Sequence, residues 1–208
     1  INKEKLIEFC NAIKKFNIQW TCQLSVKFVD KDILKLMKEA GCNSISYGFE
    51  SYDSIVLDSM KKGITPNEID FAVKETMKIG ISIQGNFIFG DPAETLQTAI
   101  NTLEYWKNNC LGQINLFFVQ PFAGSEIFDY CIKKGIIKDR KYYMANNISH
   151  CNIFNMTKIP NESFIRLVDA INFIQITGFI KSSFTKNILQ MSKKDRYSVS
   201  VDCPFCGK

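Results

Sequence analysis

The stretch Ser46-Tyr-Gly-Phe-Glu-Ser51, followed by Phe87-Ile-Phe-Gly-Asp-Pro-Ala-Glu-Thr95, decides the fold. Each part has the composition of a strand that ends in a turn, and a helix signal lies between them. That signal is Thr65-Pro-Asn-Glu68, a capping box with proline at the first helical position, and Gly80 ends the helix. A strand, a helix and a strand at this spacing predict two parallel strands joined by a right-handed crossover.

The same alternation extends in both directions along the chain. Asp30 and Gly41 bound a helical pattern, and Asp91-Pro-Ala-Glu94 repeats the capping device ahead of an apolar helical pattern that begins at Leu96. This order of elements predicts an α/β fold built on a parallel sheet or barrel. The first helix is predicted over residues 1–15, and the strands over residues 18–27, 44–50, 81–90 and 114–120.

Polar residues recur at every second position in three of these strands, so they share one face of the sheet. The inside of a packed barrel and both faces of a doubly wound sheet would be apolar at these positions. We therefore predict a barrel, complete or not, whose polar lumen meets water or a ligand. An antiparallel sheet with a solvated face is the alternative, and the intervening helices disfavour it. The polar positions are Gln23, Ser25 and Lys27, then Ser44, Ser46, Gly48 and Glu50, then Ser82, Gln84 and Asn86.

Composition limits the class of protein. The 208 residues are 46% hydrophobic and 23% charged, which is enough for a core of one or two domains. The net charge of +5 comes from interspersed charges, so nucleic acid is not an expected partner. No stretch has the length and apolarity of a membrane span or the pattern of a signal peptide, so we expect no membrane association and a cytoplasmic location. The first six of the eight cysteines are mostly isolated and are expected to be buried and reduced.

The C-terminal part has weaker signals. Residues 161–190 have the pattern of a helix that packs on the barrel, and residues 192–200 have that of a polar, basic linker. Cys203-Pro-Phe-Cys206 resembles the first knuckle of a zinc ribbon, so Cys203 and Cys206 are candidate zinc ligands, with a second pair expected downstream. The predicted domains are a barrel part at residues 1–140, a helical extension at 141–191, and the linker with its knuckle at 192–208.

Glu50 is the main candidate for binding, because ligands of parallel α/β proteins lie at the carboxyl ends of the strands. A carboxylate there can accept hydrogen bonds from paired ligand hydroxyls, such as those of ribose. A helix N-cap or a surface salt bridge is an equally strong interpretation of Glu50. Gly90 would let the backbone approach a ligand closely, whereas Asp91 and Glu94 are expected to cap the next helix.

Several motifs in this order resemble the second half of the radical S-adenosylmethionine (SAM) core, over about residues 1–136. They include Tyr47-Gly-Phe-Glu-Ser51, Met60-Lys-Lys-Gly-Ile-Thr65, Phe87-Ile-Phe-Gly-Asp-Pro-Ala-Glu-Thr95 and Gln120-Pro-Phe-Ala-Gly-Ser-Glu-Ile-Phe128. The last motif favours the branch whose members often carry a cobalamin-binding domain. Methylthiotransferases and coproporphyrinogen-type enzymes share much of the pattern.

The resemblance implies a partial (β/α)6 barrel, of which this chain would be the C-terminal half. In this family a CxxxCxxC loop holds a 4Fe–4S cluster, and an electron from the cluster cleaves SAM to a 5′-deoxyadenosyl radical for methyl transfer, cyclisation or a related step. A small-molecule substrate and an electron donor such as flavodoxin or ferredoxin are implied, and cobalamin is a possible further cofactor. No CxxxCxxC occurs in the chain, so its loop is expected before Ile1, and the chain alone is not expected to be active.

The resemblance also implies a set of cofactor-binding residues, while it identifies no catalytic residue. Glu50 matches the carboxylate that contacts ribose, the turn from Ile88 to Pro92 lies near adenine, and Gln120 and Pro121 would offer backbone contacts. Ser25 stands where the family commonly has arginine, and Lys27 could supply that charge or reach solvent. The complete predicted set is Ser25, Lys27, Gly48, Glu50, Gln84, Asn86, Ile88, Gly90, Pro92, Gln120 and Pro121.

A second hypothesis is a non-catalytic α/β binding or scaffold module with a zinc-ribbon tail. The upstream coding sequence discriminates between the two hypotheses, because only the enzyme requires a CxxxCxxC there.

Overall fold

The computed structural model describes residues 3–110, 113–146, 153–182, 184–190 and 197–202. Eight helices and six strands occur in this part of the chain. The helices are α1 (Lys3–Lys14), α2 (Lys31–Glu39), α3 (Ser54–Ser59), α4 (Pro66–Lys78), α5 (Leu96–Asn109), α6 (Glu126–Lys133), α7 (Arg140–Asn146) and α8 (Asn161–Ser182). The strands are β1 (Trp20–Gln23), β2 (Cys42–Glu50), β3 (Ser82–Phe89), β4 (Asn115–Phe118), β5 (Phe184–Gln190) and β6 (Tyr197–Asp202).

The first four strands form one parallel sheet in the order β1-β2-β3-β4. Each successive pair of strands is joined through a helix, so the predicted α/β fold with parallel strands is confirmed. The sheet is open, because among the described strands β1 and β4 each pair on one edge only. The architecture is that of part of a barrel rather than a closed one.

Local side-chain bonds explain where the helices begin. The Asp30 carboxylate accepts a hydrogen bond from the Ile33 N–H at 2.8 Å and caps α2. The predicted capping box of α4 is present in both directions between Thr65 and Glu68. These caps satisfy backbone N–H groups that have no partner inside the helix. The sequence did not predict α3, which Asp53 caps through the Ile55 N–H at 3.0 Å.

The prediction for the first strand was too long. β1 ends at Gln23, and Ser25 instead caps a short 3-10 helix, Val26–Phe28, by accepting a hydrogen bond from the Lys27 N–H at 3.4 Å. Ser25 and Lys27 therefore do not continue the polar face of the sheet. A serine side chain that bonds to a nearby backbone N–H offers an alternative to strand pairing, and the Ser25 bond to the Lys27 N–H replaces pairing here.

Two predictions for later segments were also wrong. Asp91-Pro-Ala-Glu94 does not start a helix; α5 begins at Leu96, after a capping box between Thr95 and Thr98. The helix expected over residues 161–190 ends at Ser182, and β5 and β6 form an antiparallel pair where part of that helix and part of the linker had been predicted. Residues 197–201 alternate polar and β-branched or aromatic side chains, a pattern typical of a strand.

Aromatic residues on one face of β2 and β3 form the centre of the core. The ring centroids of Tyr47 and Phe49 are 5.4 Å apart, and those of Phe49 and Phe87 are 5.6 Å apart. The buried Tyr47 hydroxyl satisfies its polar group by pairing with the Thr76 hydroxyl of α4 at 2.7 Å. This packing attaches the crossover helices to one face and leaves the other face free of them.

The predicted burial of the cysteines is confirmed at four described positions and is wrong at Cys22. Cys10, Cys42, Cys110 and Cys131 are buried and free, and Cys22 is half-buried and free. Cys151, Cys203 and Cys206 lie outside the described residues, so the proposed zinc knuckle stays a prediction.

Within the described part of the chain, no helix combines the length and the apolarity needed to span a bilayer.

The turn into β2 requires glycine. Gly41 has φ +94°, and a Cβ added there would lie 2.1 Å from the carbonyl oxygen of Ile18. Gly135 has φ +70°, but a Cβ added at Gly135 would have no neighbouring atom within 4 Å. Both glycines therefore have a backbone conformation that disfavours residues with side chains. Only at Gly41 would an added Cβ also overlap a neighbouring atom.

We expect Gly41→Ala to lower the free energy of unfolding by about 3 kcal/mol or more, because steric overlap adds to the cost of positive φ. Gly135→Ala is the matched control, with an expected loss of about 1 kcal/mol from the backbone conformation alone. Urea unfolding monitored by circular dichroism measures both. Equal losses would show that the contact with Ile18 does not constrain the turn.

Candidate functional site

A cleft of about 1410 Å³ lies at the carboxyl ends of β2, β3 and β4. This is the edge at which parallel α/β proteins bind their ligands. The cleft has a polar part near β2 and β3 and a more apolar part near β4, α6 and α8. Its lining includes Glu50, Lys61, Lys62, Ile88, Asp91, Pro92, Phe117, Gln120, Phe122, Glu126, Ile127, Tyr130, Ile153, Asn172 and Gln175.

A β-bulge positions Glu50 in the polar part of the cleft. Gly48 pairs with Asn86 and Glu50 pairs with Phe87, so β2 has one extra residue at its end. Glu50 also adopts φ +65°, a strained conformation for a residue with a side chain. Bulges are a common means of redirecting a side chain near a binding site.

The Glu50 carboxylate forms an ion pair with Lys62, with 2.9 Å between Oε1 and Nζ. The side chains are 18% and 31% exposed, so both charges remain accessible from the cleft. Of the two alternative roles considered for Glu50, the salt bridge is therefore present. The N-cap of the following helix, α3, is Asp53 and not Glu50. A paired, half-buried carboxylate at a strand end still has acceptor sites for a ligand.

The turn after β3 provides the adjacent wall. Ile88, Asp91 and Pro92 line the cleft, and Gly90 allows the turn through φ +106°. The buried Glu94 carboxyl accepts a hydrogen bond from the Gly90 N–H at 2.6 Å, and Asp91 accepts one from the Ala93 N–H at 2.7 Å. Both acidic side chains therefore hold the turn and do not cap α5, contrary to the sequence prediction.

Burial raises the pKa of Glu94 to about 8, and the carboxylates of Asp91 and Asp53 contribute to the increase. The hydrogen bond from Gly90 lowers the pKa but does not outweigh burial. Glu94 is only 1% exposed, so its charged form would lose nearly all contact with water. The neutral acid is therefore the favoured form of Glu94 at neutral pH.

The apolar part of the cleft is formed by elements that follow the central strands. Phe117 extends from β4, Phe122 and Ile127 come from the turn and helix that follow, and α8 contributes Asn172 and Gln175. At the rim, Lys61 joins both carboxylate oxygens of Glu126 at 2.7 and 2.6 Å. This ion pair is largely exposed, so it connects the two sides of the entrance with little stabilisation.

The structure brings together part of the predicted set. Glu50, Ile88, Pro92 and Gln120 line the cleft, with Gly90 inside the same turn. Two further residues lie beside the cleft: Gly48 borders the Glu50–Lys62 pair, and the Pro121 carbonyl accepts a hydrogen bond from the Tyr143 hydroxyl at 3.1 Å.

The other predicted residues lie outside the cleft lining. Gln84 and Asn86 are farther back on the polar face, and Ser25 and Lys27 belong to the 3-10 helix and its cap.

Sequence reasoning missed Lys62, Asn172 and Gln175. Lys62 lies in the motif Met60-Lys-Lys-Gly, which could have indicated it, but the sequence does not show which lysine faces Glu50. Asn172 and Gln175 occur in a helix without any recognisable motif. Among the described residues, no cluster of three His, Cys, Asp or Glu side chains could hold a metal ion.

A parallel α/β sheet with a strand-end cleft, a carboxylate and a Gly-Asp-Pro turn is the arrangement in which α/β proteins bind ligands. A family model described as the radical SAM superfamily matches residues 2–105. The chain therefore belongs to the radical SAM superfamily, a family of enzymes, and the resemblance noted in the sequence is confirmed.

Several relatives have methyltransferase names, among them the following two. The chain is 29% identical over 173 residues to an uncharacterised methyltransferase of Pyrococcus horikoshii, with 79% of this chain and 38% of that relative covered. It is 27% identical over 140 residues to the bacteriochlorophyllide d C-8(2)-methyltransferase of Chlorobaculum tepidum, with 66% and 31% covered. The chain thus spans roughly a third of the length of these relatives.

A solved structure has a similar fold. It is a radical SAM methyltransferase from Kitasatospora setae with cobalamin and a 4Fe–4S cluster bound, and its TM-score is 0.50 at 17% sequence identity. The match covers 62% of this chain and 25% of that one. This likeness agrees with the open, parallel-stranded architecture.

The pKa of Glu94 predicts a pH dependence of stability. Because the folded pKa of about 8 exceeds the ordinary value of 4.5, the folded state retains a proton that the unfolded chain loses in this window. The contribution of Glu94 to the free energy of unfolding is complete below the pKa of the unfolded state. It falls as pH rises towards the pKa of the folded state, by up to about 1.4 kcal/mol per pH unit.

We expect Glu94→Gln, which keeps an acceptor for the Gly90 N–H, to flatten the fall in unfolding temperature between about pH 5 and pH 8. Glu104→Gln, the same change on the exposed side of α5, should keep the wild-type dependence. Thermal unfolding over this pH range measures the slopes. Parallel curves for wild type and Glu94→Gln would contradict the proton assignment.

Proposed function

We infer that the chain is the SAM-binding part of a radical SAM enzyme that transfers a methyl group to a small molecule. The observation that carries this proposal is the Glu50–Lys62 pair beside the Ile88–Pro92 turn in one strand-end cleft of a radical SAM chain. Methyl transfer is chosen because the two relatives described above have methyltransferase names, while other relatives are named as cyclases.

The polar part of the cleft has the donors and acceptors that SAM requires. The Glu50 carboxylate can accept hydrogen bonds from the ribose hydroxyls, and Lys62 can pair with the methionyl carboxylate. Gly48 keeps the space above this pair open: an added Cβ would lie 3.1 Å from Glu50 Oε1 and 3.3 Å from Lys62 Nζ. Substitution of Gly48 would therefore crowd both charged groups.

The turn after β3 suits a flat heterocycle. Ile88 and Pro92 offer apolar contact, while the Glu94–Gly90 hydrogen bond holds the backbone between them in place. Gln120 and Pro121 follow β4 on the adjacent side, where backbone groups can meet the adenine or the methionyl part. Gln84 and Asn86 would extend the same polar face beneath the cofactor. A Cβ added at Gly63, next to Lys62, would lie 3.2 Å from Lys27 Nζ, so the predicted roles of Lys27 and Ser25 stay predictions.

A reduced 4Fe–4S cluster with bound SAM supplies the electron that cleaves a carbon–sulfur bond of SAM. No CxxxCxxC occurs in the 208 residues, so another stretch of polypeptide would provide the cluster ligands. The residues of this chain bind and orient SAM and limit the access of water. Cobalamin is proposed as a further cofactor, and flavodoxin or ferredoxin as electron donor.

The test measures SAM affinity and 5′-deoxyadenosine formation in the native polypeptide that contains these residues, with its cluster reconstituted under anaerobic conditions. We expect Glu50→Ala to weaken SAM binding by about tenfold to a hundredfold, the effect of losing charge-assisted hydrogen bonds to a ligand. Glu104→Ala, which removes an exposed carboxylate from α5, is the matched control and should bind SAM as the wild type does.

Unchanged SAM affinity in Glu50→Ala would remove Glu50 from the site. Wild-type protein that neither binds SAM nor forms 5′-deoxyadenosine would instead favour the non-catalytic binding module.

A further inference from the structure

Helix α8 lies against the free edge of β4. That strand pairs with β3 on one side only, so backbone groups on its other edge need partners from elsewhere. The side-chain oxygen of Gln175 accepts a hydrogen bond from the Leu116 N–H at 3.2 Å. Phe164, nearer the start of α8, packs edge-to-face against Phe118 of β4. The helix is therefore part of the cleft wall rather than a separate appendage.

The bond to Leu116 determines how the Gln175 amide is oriented. A backbone N–H can only donate, so it must meet the amide oxygen, and the amide nitrogen with its two donors is directed elsewhere. Gln175 lines the cleft, and Asn172, one turn earlier on the same side of α8, lines it too. Residues three apart are neighbours on a helix surface, so the two amides can act on one ligand group.

The part of the cleft lining that β4, the following turn and α6 contribute is unusually apolar for an accessible surface. Phe117 is 47% exposed and Phe122 is 64% exposed, and both line the cleft with Ile127 and Tyr130. An accessible apolar patch of aromatic rings is typical of a ligand-binding surface. Rings of this kind favour a flat, conjugated ligand, against which they can stack.

Charge and size narrow the ligand further. Both lysines of the cleft lining have carboxylate partners, Lys61 with Glu126 and Lys62 with Glu50. Lys62 is assigned to the SAM end of the cleft and Lys61 lies at its rim, so the amide nitrogens of Asn172 and Gln175 are the donors that α8 adds for a second ligand. The cleft volume of about 1410 Å³ exceeds the roughly 300–1,000 Å³ typical of a single-ligand site, which leaves room for a second large ligand.

We propose that Asn172 and Gln175 form a carboxylate-binding subsite for a large conjugated substrate whose body stacks on Phe117 and Phe122. This inference rests on the proposed function, because it assigns the apolar part of the same cleft to the substrate. The amide nitrogens donate to a carboxylate oxygen of the substrate, and the aromatic side chains hold its flat body beside the SAM end of the cleft.

Protoporphyrin IX is the probe, because it combines a large flat macrocycle with carboxylates, and two relatives are named for a bacteriochlorophyllide substrate. Octaethylporphyrin has the same macrocycle without carboxylates. Binding of each to the native polypeptide is followed by porphyrin fluorescence in the absence of SAM. Wild-type protein is expected to bind protoporphyrin IX more tightly than octaethylporphyrin.

Gln175→Glu is the decisive variant. It keeps an oxygen acceptor for the Leu116 N–H and replaces the amide donors with a negative charge. We expect protoporphyrin IX to bind about tenfold more weakly and octaethylporphyrin to bind within about twofold of the wild-type affinity. Hydrogen exchange at Leu116 should match the wild type, which separates loss of the ligand contact from loss of the strand-edge contact.

The proposal is overturned if wild-type protein does not bind protoporphyrin IX, or if Gln175→Glu changes the binding of both porphyrins equally. Wild-type protein that does not bind SAM but still prefers protoporphyrin IX to octaethylporphyrin would contradict the proposed function alone. Intact SAM binding without porphyrin selectivity would contradict this subsite alone.

Discussion

Parallel pairing of β2 with β3 is the interaction on which the rest of the structure depends. It aligns Ser44 to Gly48 with Ser82 to Asn86, so alternate side chains of both strands are divided between the same two faces. The aromatic residues Tyr47, Phe49 and Phe87 then form the core under the crossover helices. The bulge after Gly48 breaks this register once, at the strand end, and redirects Glu50.

The cleft combines two different solutions to the burial of polar groups. Near β3, the Glu94 carboxyl is nearly inaccessible to water and holds the turn through the Gly90 N–H, with a raised pKa as the consequence. Near β2, Glu50 and Lys62 retain access to the cleft and compensate each other's charge. The first arrangement makes a wall rigid, and the second keeps charges available to a ligand.

Much of the fold could be predicted, because its signals are local. The capping box at Thr65, the Asp30 cap and the alternation of polar residues depend on neighbours within a few positions. The errors occur where two local signals compete: Asp91 and Thr95 both have the composition of an N-cap, and only Thr95 is one. Ser25 likewise fits a strand or a cap, and the backbone leaves the sheet after Leu24, whose N–H still donates to the Ser46 carbonyl of β2 at 3.0 Å.

The sequence by itself determined the alternation of the four parallel strands with their crossover helices, the polar face of β2 and β3, and Glu50 as a strand-end carboxylate, since periodicity and capping are encoded over short distances. Only the tertiary structure decided that Lys62 pairs with Glu50, that Glu94 is buried against Gly90, and that Gln175 meets the edge of β4. The physical reason is that these contacts join residues whose distance depends on how turns and helices pack against the sheet. Packing of this kind has no local periodic signature in the chain.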